Sequence, residues 1–168
     1  VIMPVYDELL EWISESIDSI LQQTFSDFEF IIINDNPKRK KLQTFLEKYK
    51  IKDKRITLIA NKKNSGSTKS RNKGLKIASG EYIAIMDCGD ISFKERLNEQ
   101  YVFLEKYKNC FLNYFGVNFV DKNKKRIARS YPIIGREKLY RRLLHKNCIA
   151  QPTIMFRNIK ILYRECPL

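Results

Sequence analysis

One stretch of the sequence decides the fold class: Phe28-Glu29-Phe30-Ile31-Ile32-Ile33-Asn34-Asp35. Its apolar residues follow one another without polar alternation, which is typical of a strand buried on both faces in a helix-covered parallel sheet. Asn and Asp at its end favour a turn. The stretch therefore predicts an inner parallel strand whose carboxyl end carries an aspartate.

Apolar runs alternate with amphipathic segments on both sides of this strand. We predict strands over residues 1–6, 28–33, 55–60 and 82–86, and helices over residues 8–22, 38–50, 69–79 and 93–108. Gly80 is a plausible C-cap for the third helix. Such β-α alternation implies an α/β fold with a largely parallel, doubly wound sheet and right-handed crossovers.

The pattern changes after residue 108. We predict strands over residues 111–120, 126–131 and 153–157 and a short basic helix over residues 136–146. No internal repeat or low-complexity linker separates the two parts. We therefore interpret residues 1–108 and 109–168 as two halves of one domain, the second contributing a smaller antiparallel element.

Charge is unevenly distributed along the chain. The 168 residues carry a formal net charge of +13, yet residues 1–36 contain eight acids and no Lys or Arg. A basic surface attracts nucleic acid, anionic lipid or nucleotides, although lysine-rich helix faces that are simply solvated give the same composition. The chain also begins inside an apolar run without a starting Met, so we expect a piece of a longer protein.

Several site classes are disfavoured by what the sequence contains. Its four cysteines include no CxxC pair, which makes a zinc site improbable. His145 is the single histidine, and no second one is available for a His-dependent triad. No secretion signal or apolar run of about 18 residues is seen, so we expect reduced thiols in the cytoplasm.

Polar residues follow each of the first four predicted strands, in the segments 6–7, 34–36, 61–68 and 87–90. Ligands of open α/β sheets bind beyond the carboxyl ends of the strands. Three of these segments contain an aspartate, which suggests acceptors for a base or ribose, or ligands for a divalent cation. Asn64-Ser65-Gly66 precedes a helix that contains Arg71, and its backbone N–H groups could hold phosphate. No dinucleotide fingerprint or P-loop is present.

The sequence resembles the GT-A nucleotide-sugar glycosyltransferases of family 2 over nearly its whole length. Similar segments occur in the family's order at 1–7, 19–25, 28–35, 64–75, 78–87, 90–97 and 151–157. They include Asn64-x-Gly66, Arg71-Asn72-x-Gly74-Leu75 and Gln151-Pro152-Thr153. Each piece is weakly specific, but together the collinear pieces are a strong signal.

The resemblance implies a site for a nucleoside diphosphate sugar, usually a UDP-sugar. It implies that Asp35 accepts a hydrogen bond from the uracil N–H, that Arg71 approaches the base or diphosphate, and that Asp87 faces the ribose and a metal. The full set of implied donor-binding residues is Pro4, Val5, Tyr6, Asp7, Asp35, Asn64, Gly66, Arg71 and Asp87.

Two departures from the family pattern concern metal and catalysis. The family usually has Asp-Ala-Asp-Asp where this chain has Asp87-Cys88-Gly89-Asp90. Mn²⁺ or Mg²⁺ binding would therefore be weakened, with Asp87 and Asp90 as the available ligands. The general base of the family lies beyond the last matched segment, where Glu165 is the one remaining acid, so we expect the base beyond Leu168.

The activity implied is inverting transfer of a sugar to a polysaccharide or lipid-linked acceptor, as in building a bacterial surface polysaccharide or lipopolysaccharide. The enzyme would be cytoplasmic, with its basic second half resting peripherally on the membrane, and would need no nucleic acid. Two alternatives stay open. Gly89 favours a degenerate nucleotide-sugar-binding domain without transfer activity, and the net charge favours a nucleic-acid-binding module.

Overall fold

A computed structural model describes residues 1–165 of the chain. The strands are β1 (Ile2–Val5), β2 (Phe30–Asn34), β3 (Ile56–Ala60), β4 (Tyr82–Ala84), β5 (Leu112–Tyr114), β6 (Val117–Val120), β7 (Arg126–Ser130) and β8 (Ile154–Arg157). The helices are α1 (Leu10–Leu21), α2 (Lys40–Lys52), α3 (Ser67–Ile77), α4 (Arg96–Lys106) and α5 (Arg136–Leu143). None of the helices in this described part is long and apolar enough to cross a membrane.

The central strand β2 is buried on both faces, as its sequence predicts. It pairs in parallel with β1 on one side and with β3 on the other. Phe30 and Ile32 pack in a core with α1, α2 and α4, whereas Ile31 and Ile33 pack in a second core with α3. Because successive side chains of a strand point to opposite faces, one apolar run serves both cores.

The second half of the chain completes the same sheet. A parallel bridge between Ile2 and Ile85 joins the end of β4 to β1. On the other side β8 pairs antiparallel with β4 and with β5. The antiparallel hairpin of β6 and β7 stands apart from this sheet. The predicted α/β fold, largely parallel with a smaller antiparallel element, is confirmed.

The strand predicted over residues 111–120 is two strands, β5 and β6, with Gly116 between them. An added Cβ at Gly116 would lie 2.1 Å from the carbonyl oxygen of Ser130, so only glycine permits this close approach of β7. The continuous apolar pattern concealed the break, because both strands are rich in aromatic and branched residues.

The predicted C-cap at Gly80 is wrong. Helix α3 ends at Ile77, and the N–H of Ala78 donates to the carbonyl of Gly74. Gly80 instead donates its N–H to a carboxylate oxygen of Glu29 at 3.0 Å. That contact joins the turn before β4 to the residue that precedes β2.

Candidate active site

A cleft of about 320 Å³ lies at the carboxyl ends of β1 and β2, beside the start of α3. All of the donor-binding residues implied by the sequence resemblance line it except Asp7. They are Pro4, Val5, Tyr6, Asp35, Asn64, Gly66, Arg71 and Asp87. The parallel sheet thus brings together residues that are up to 83 positions apart in the sequence.

Asp35 is buried at the end of β2 and fixes one wall of the cleft. Its Oδ1 accepts hydrogen bonds from Asn61 Nδ2 at 2.7 Å and from the N–H of Ser65 at 2.8 Å. Its Oδ2 accepts from the N–H of Gly66 at 2.8 Å. A carboxylate offers about four lone-pair positions, so Oδ2 retains the capacity to accept one further hydrogen bond.

This arrangement corrects the expected phosphate site before α3. The N–H groups of Ser65 and Gly66, which the sequence suggested as phosphate donors, already donate to Asp35. Their role is to hold the loop against β2. The cationic side chain of α3 that lines the cleft is Arg71.

Arg71 and Asp87 form an ion pair inside the cleft. Arg71 Nη2 lies 2.5 Å from Asp87 Oδ1, and the two side chains are 10% and 35% exposed. The Nε–H of Arg71 is buried and has no acceptor among residues 1–165. The cleft is therefore lined by a guanidinium that is already paired and by the partly open carboxylate of Asp87.

Side chains of α1 hydrogen-bond to the backbone of the loop after Asp87. The buried hydroxyl of Ser16 accepts a hydrogen bond from the N–H of Gly89 at 2.9 Å and donates to the carbonyl of Asp90 at 2.8 Å. One turn further along α1, Ser19 Oγ accepts from the N–H of Ser92 at 3.0 Å. These polar residues lie on the helix face that meets the loop, and they fix the positions of both aspartates.

We expect Ser16→Ala to destabilise the protein by about 1–3 kcal/mol, because two backbone groups of a partly buried loop lose their partner. Ser14→Ala is the matched control, since the Ser14 hydroxyl donates to the carbonyl of Glu11 within the same helix and not to the loop after Asp87. Chemical denaturation of both variants checks this. Equal small losses for the two serines would show that Ser16 does not hold the loop.

Cys88 and Gly89 supply no ligand for a cation. Burial, together with the carboxylate of Glu8, raises the pKa of the Cys88 thiol to about 12, which keeps it protonated. Gly89 has a φ of +96°, so a side chain there would meet open space but a strained backbone. The loop conformation is thus matched to glycine.

Asp90 faces away from this cleft. It lines a neighbouring groove of about 680 Å³ between the start of α4 and the β6–β7 hairpin. Desolvation and the charge of Asp87 raise the pKa of Asp90, and the guanidinium of Arg96 opposes that shift. Arg96 itself is buried and donates to the carbonyls of Ile85 and Ile154 at 2.9 and 3.3 Å.

The oxygen ligands for a divalent cation are few. No group of three or more His, Cys, Asp or Glu side chains within residues 1–165 is arranged to hold a metal. Mg²⁺ sites commonly use one or two carboxylates and complete the shell with substrate phosphates and water. Asp87 fits that minimal arrangement; Glu8 lines the same cleft, and Asp90 lies on the far side of the loop.

Two of the residues implied by the sequence lie elsewhere. Asp7 is exposed, and its carboxylate lies 3.7 Å from Arg39 Nη1. Its neighbour Glu8 lines the cleft instead and accepts the N–H of Tyr6 at 2.9 Å. Glu165 is exposed outside both the cleft and the groove, where it accepts a hydrogen bond from Asn72 at 3.1 Å.

Comparison with known proteins identifies the family. Residues 1–164 match the model of glycosyl transferase family 2, and the chain belongs to that family. It is 44% identical over 123 residues to the uncharacterized glycosyltransferase MJ1057 of Methanocaldococcus jannaschii, covering 73% of this chain and 42% of that protein. It is 32% identical over 148 residues to the UDP-Glc:alpha-D-GlcNAc-diphosphoundecaprenol beta-1,3-glucosyltransferase WfgD of Escherichia coli, covering 88% of this chain and 55% of WfgD.

Solved structures confirm the GT-A fold class. A crystal structure of S. aureus TarS 1-349 matches 94% of this chain and 46% of its own length, with a TM-score of 0.68 and 24% identity. TarS 1-349 in complex with UDP-GlcNAc gives a TM-score of 0.65 at 24% identity, over 94% of this chain and 44% of its own. A Pyrobaculum calidifontis mannosyltransferase in complex with GDP-Man and Mn²⁺ matches with a TM-score of 0.62 and 16% identity. The match covers 93% of this chain and 43% of the mannosyltransferase. The chain thus spans about half the length of these proteins or less.

Proposed function

We propose that this chain binds a UDP-sugar in the cleft at the ends of β1 and β2 and belongs to an enzyme that transfers the sugar with inversion to a polysaccharide or lipid-linked acceptor. A single observation carries the proposal: Asp35, Arg71 and Asp87 line one cleft, and the carboxylates of Asp35 and Asp87 keep positions that can accept further hydrogen bonds. The UDP-sugar named in two of the matched proteins supports the choice of donor.

The base is recognised by Asp35 in this proposal. Three donors of the chain fix the carboxylate, and the open position on Oδ2 accepts the N3–H of uracil. The half-exposed ring of Tyr6 lies at the same end and stacks on the base. Adenine lacks an N–H at the position equivalent to N3 of uracil, so Asp35 disfavours it.

The diphosphate lies between Arg71 and Asp87 in this proposal. The guanidinium of Arg71 lies in the cleft lining and donates to a phosphate oxygen, a contact for which a guanidinium is well suited. Asp87 would hold Mn²⁺ or Mg²⁺ together with the diphosphate, whereas Asp90, the other expected ligand, lies in the neighbouring groove. A bound cation would offset the charge that develops on the departing diphosphate. Because Gly89 stands where the family usually has an acid, we expect the chain to bind the cation weakly alone and more tightly when the nucleotide is present.

The acceptor occupies the neighbouring groove in this proposal. The loop from Asp87 to Asp90 separates the two spaces, with Asp87 on the donor side and Asp90 in the groove. Apolar side chains of the loop and the β6–β7 hairpin line the groove together with Lys124 and Arg126. That mixture suits a glycan attached to an anionic, lipid-like carrier, and residues 109–168 thus form the acceptor half.

An assay of sugar transfer tests this function. The chain is supplied with UDP-Glc, UDP-GlcNAc or GDP-Man, with and without Mn²⁺, and with short glycans or glycan-diphospholipids as acceptors. We expect binding of one UDP-sugar but only slow acceptor-dependent release of UDP, because the general base is expected beyond Leu168 and its assistance is typically worth about 10²–10⁴-fold. Tight binding of a UDP-sugar without transfer to any acceptor would favour the degenerate binding domain, and absence of both would overturn the proposal.

A further inference from the structure

The surface formed by residues 131–146, here named the α5 surface, combines basic charge with exposed apolar side chains. It contains five Lys or Arg residues and one acid. Helix α5, at its centre, has no buried residue. Leu139 is half-buried and the other side chains of α5 are exposed, whereas Ile133 at the edge of the surface contacts Tyr114 of β5.

The apolar side chains of α5 share one face of the helix. Tyr140, Leu143 and Leu144 are 59%, 40% and 83% exposed, and their spacing of three and four residues places them on neighbouring turns of one side. Ile134, just before the helix, is 84% exposed. Large aliphatic groups left this open in a contiguous patch mark an interaction site.

The basic side chains lie around that apolar face. Lys138, Arg141 and Arg142 point away from it at the angles that 3.6 residues per turn dictate, and all three are exposed. Arg141 also forms an exposed ion pair with Glu137 at 2.7 Å, which a lipid phosphate would replace at little cost. A short helix with apolar residues on one side and Lys or Arg on the other suits the boundary between lipid headgroups and acyl chains. Nucleic acid would satisfy the charges but leave the leucines in water.

We propose that the α5 surface is a contact site for an anionic lipid bilayer. The apolar face enters the headgroup region and the basic residues pair with lipid phosphates. Residues 131–146 follow directly on the β6–β7 hairpin that lines the proposed acceptor groove. For an enzyme with a lipid-linked acceptor, a contact here would hold that groove near the membrane; this consequence alone rests on the proposed function.

Vesicle sedimentation without donor or acceptor tests the contact. The chain is mixed with vesicles of phosphatidylcholine alone or of equimolar phosphatidylcholine and phosphatidylglycerol. We expect binding to the anionic vesicles that weakens as salt is raised. Arg141→Gln/Arg142→Gln should weaken it about 25-fold, from roughly fivefold per charge. Leu143→Ser/Leu144→Ser should weaken it about tenfold or more.

Matched controls come from exposed residues of α2. Lys48→Gln/Lys50→Gln removes the same charge, and Ile51→Ser removes an apolar group that is 82% exposed. Neither should change vesicle binding, and UDP binding should be intact in every variant. Equal binding to both vesicle types, or no binding, would overturn the proposal. Binding to double-stranded DNA that matches vesicle binding and ignores the leucine variant would replace it with a nucleic-acid interface.

Discussion

Replacing Asp35 with alanine is expected to weaken UDP binding about 10- to 100-fold, the effect of losing a hydrogen bond to a charged acceptor worth about 1.5–3 kcal/mol. The same change leaves the N–H groups of Ser65 and Gly66 without the carboxylate. We therefore also expect a loss of about 1–3 kcal/mol in the free energy of unfolding. Titration calorimetry and chemical denaturation measure the two effects.

Asp121→Ala separates base recognition from loop stability. Asp121 Oδ1 also accepts two backbone N–H groups, from Asn123 and Lys125, both at 2.9 Å, but in the β6–β7 turn. Its loss should lower stability without changing the affinity for UDP. If Asp35→Ala lowers the affinities for UDP and ADP by the same factor, Asp35 stabilises the loop but does not bind the base.

Asp87→Asn is expected to reduce sugar transfer about 100-fold or more, because electrostatic assistance to a departing diphosphate is worth several kcal/mol. The substitution removes the charge that holds any cation at the donor diphosphate. It also breaks the ion pair with Arg71, whose side chain is only 10% exposed. Transfer rates over a range of Mn²⁺ concentrations measure the effect.

Asp53→Asn is the matched control for that change. Asp53 forms an ion pair with Arg55 at 2.8 Å, and both side chains are partly exposed as in the Arg71–Asp87 pair. It lies outside both the cleft and the groove. Losing it should affect stability but leave transfer intact. A transfer rate that falls equally in the two variants would mean that Asp87 acts through folding and not through the donor.

Local patterns in the sequence were sufficient to predict the sheet and most of the cleft. The apolar run of β2 requires burial on both faces, and the β-α alternation then places Asp35 and Asp87 at one edge. The pairing of β8 between β4 and β5 was not predictable in the same way. It joins residues 40 to 75 positions apart, and the composition of a strand does not indicate which strands it pairs with.

Local sequence patterns also did not predict the hydrogen bonds that support the site. Ser16 and Ser19 look like ordinary surface residues of an amphipathic helix, yet they bind the loop after Asp87. The exchange of Asp7 for Glu8 in the cleft depends on how the chain turns after β1. Polar residues at helical spacing between apolar ones, as in Ser16-Ile17 and Ser19-Ile20, are the signal that could have indicated a buried polar contact.

Titration calorimetry of the unmodified chain with UDP, ADP and GDP, each with and without Mn²⁺, tests the central claim most directly. We expect UDP to bind at least tenfold more tightly than ADP, since Asp35 accepts the uracil N3–H and adenine has no N–H at that position. We also expect Mn²⁺ to strengthen nucleotide binding while binding only weakly to the chain without nucleotide. Equal affinity for the three nucleotides, or no binding of any, would contradict the assignment of this cleft to a UDP-sugar.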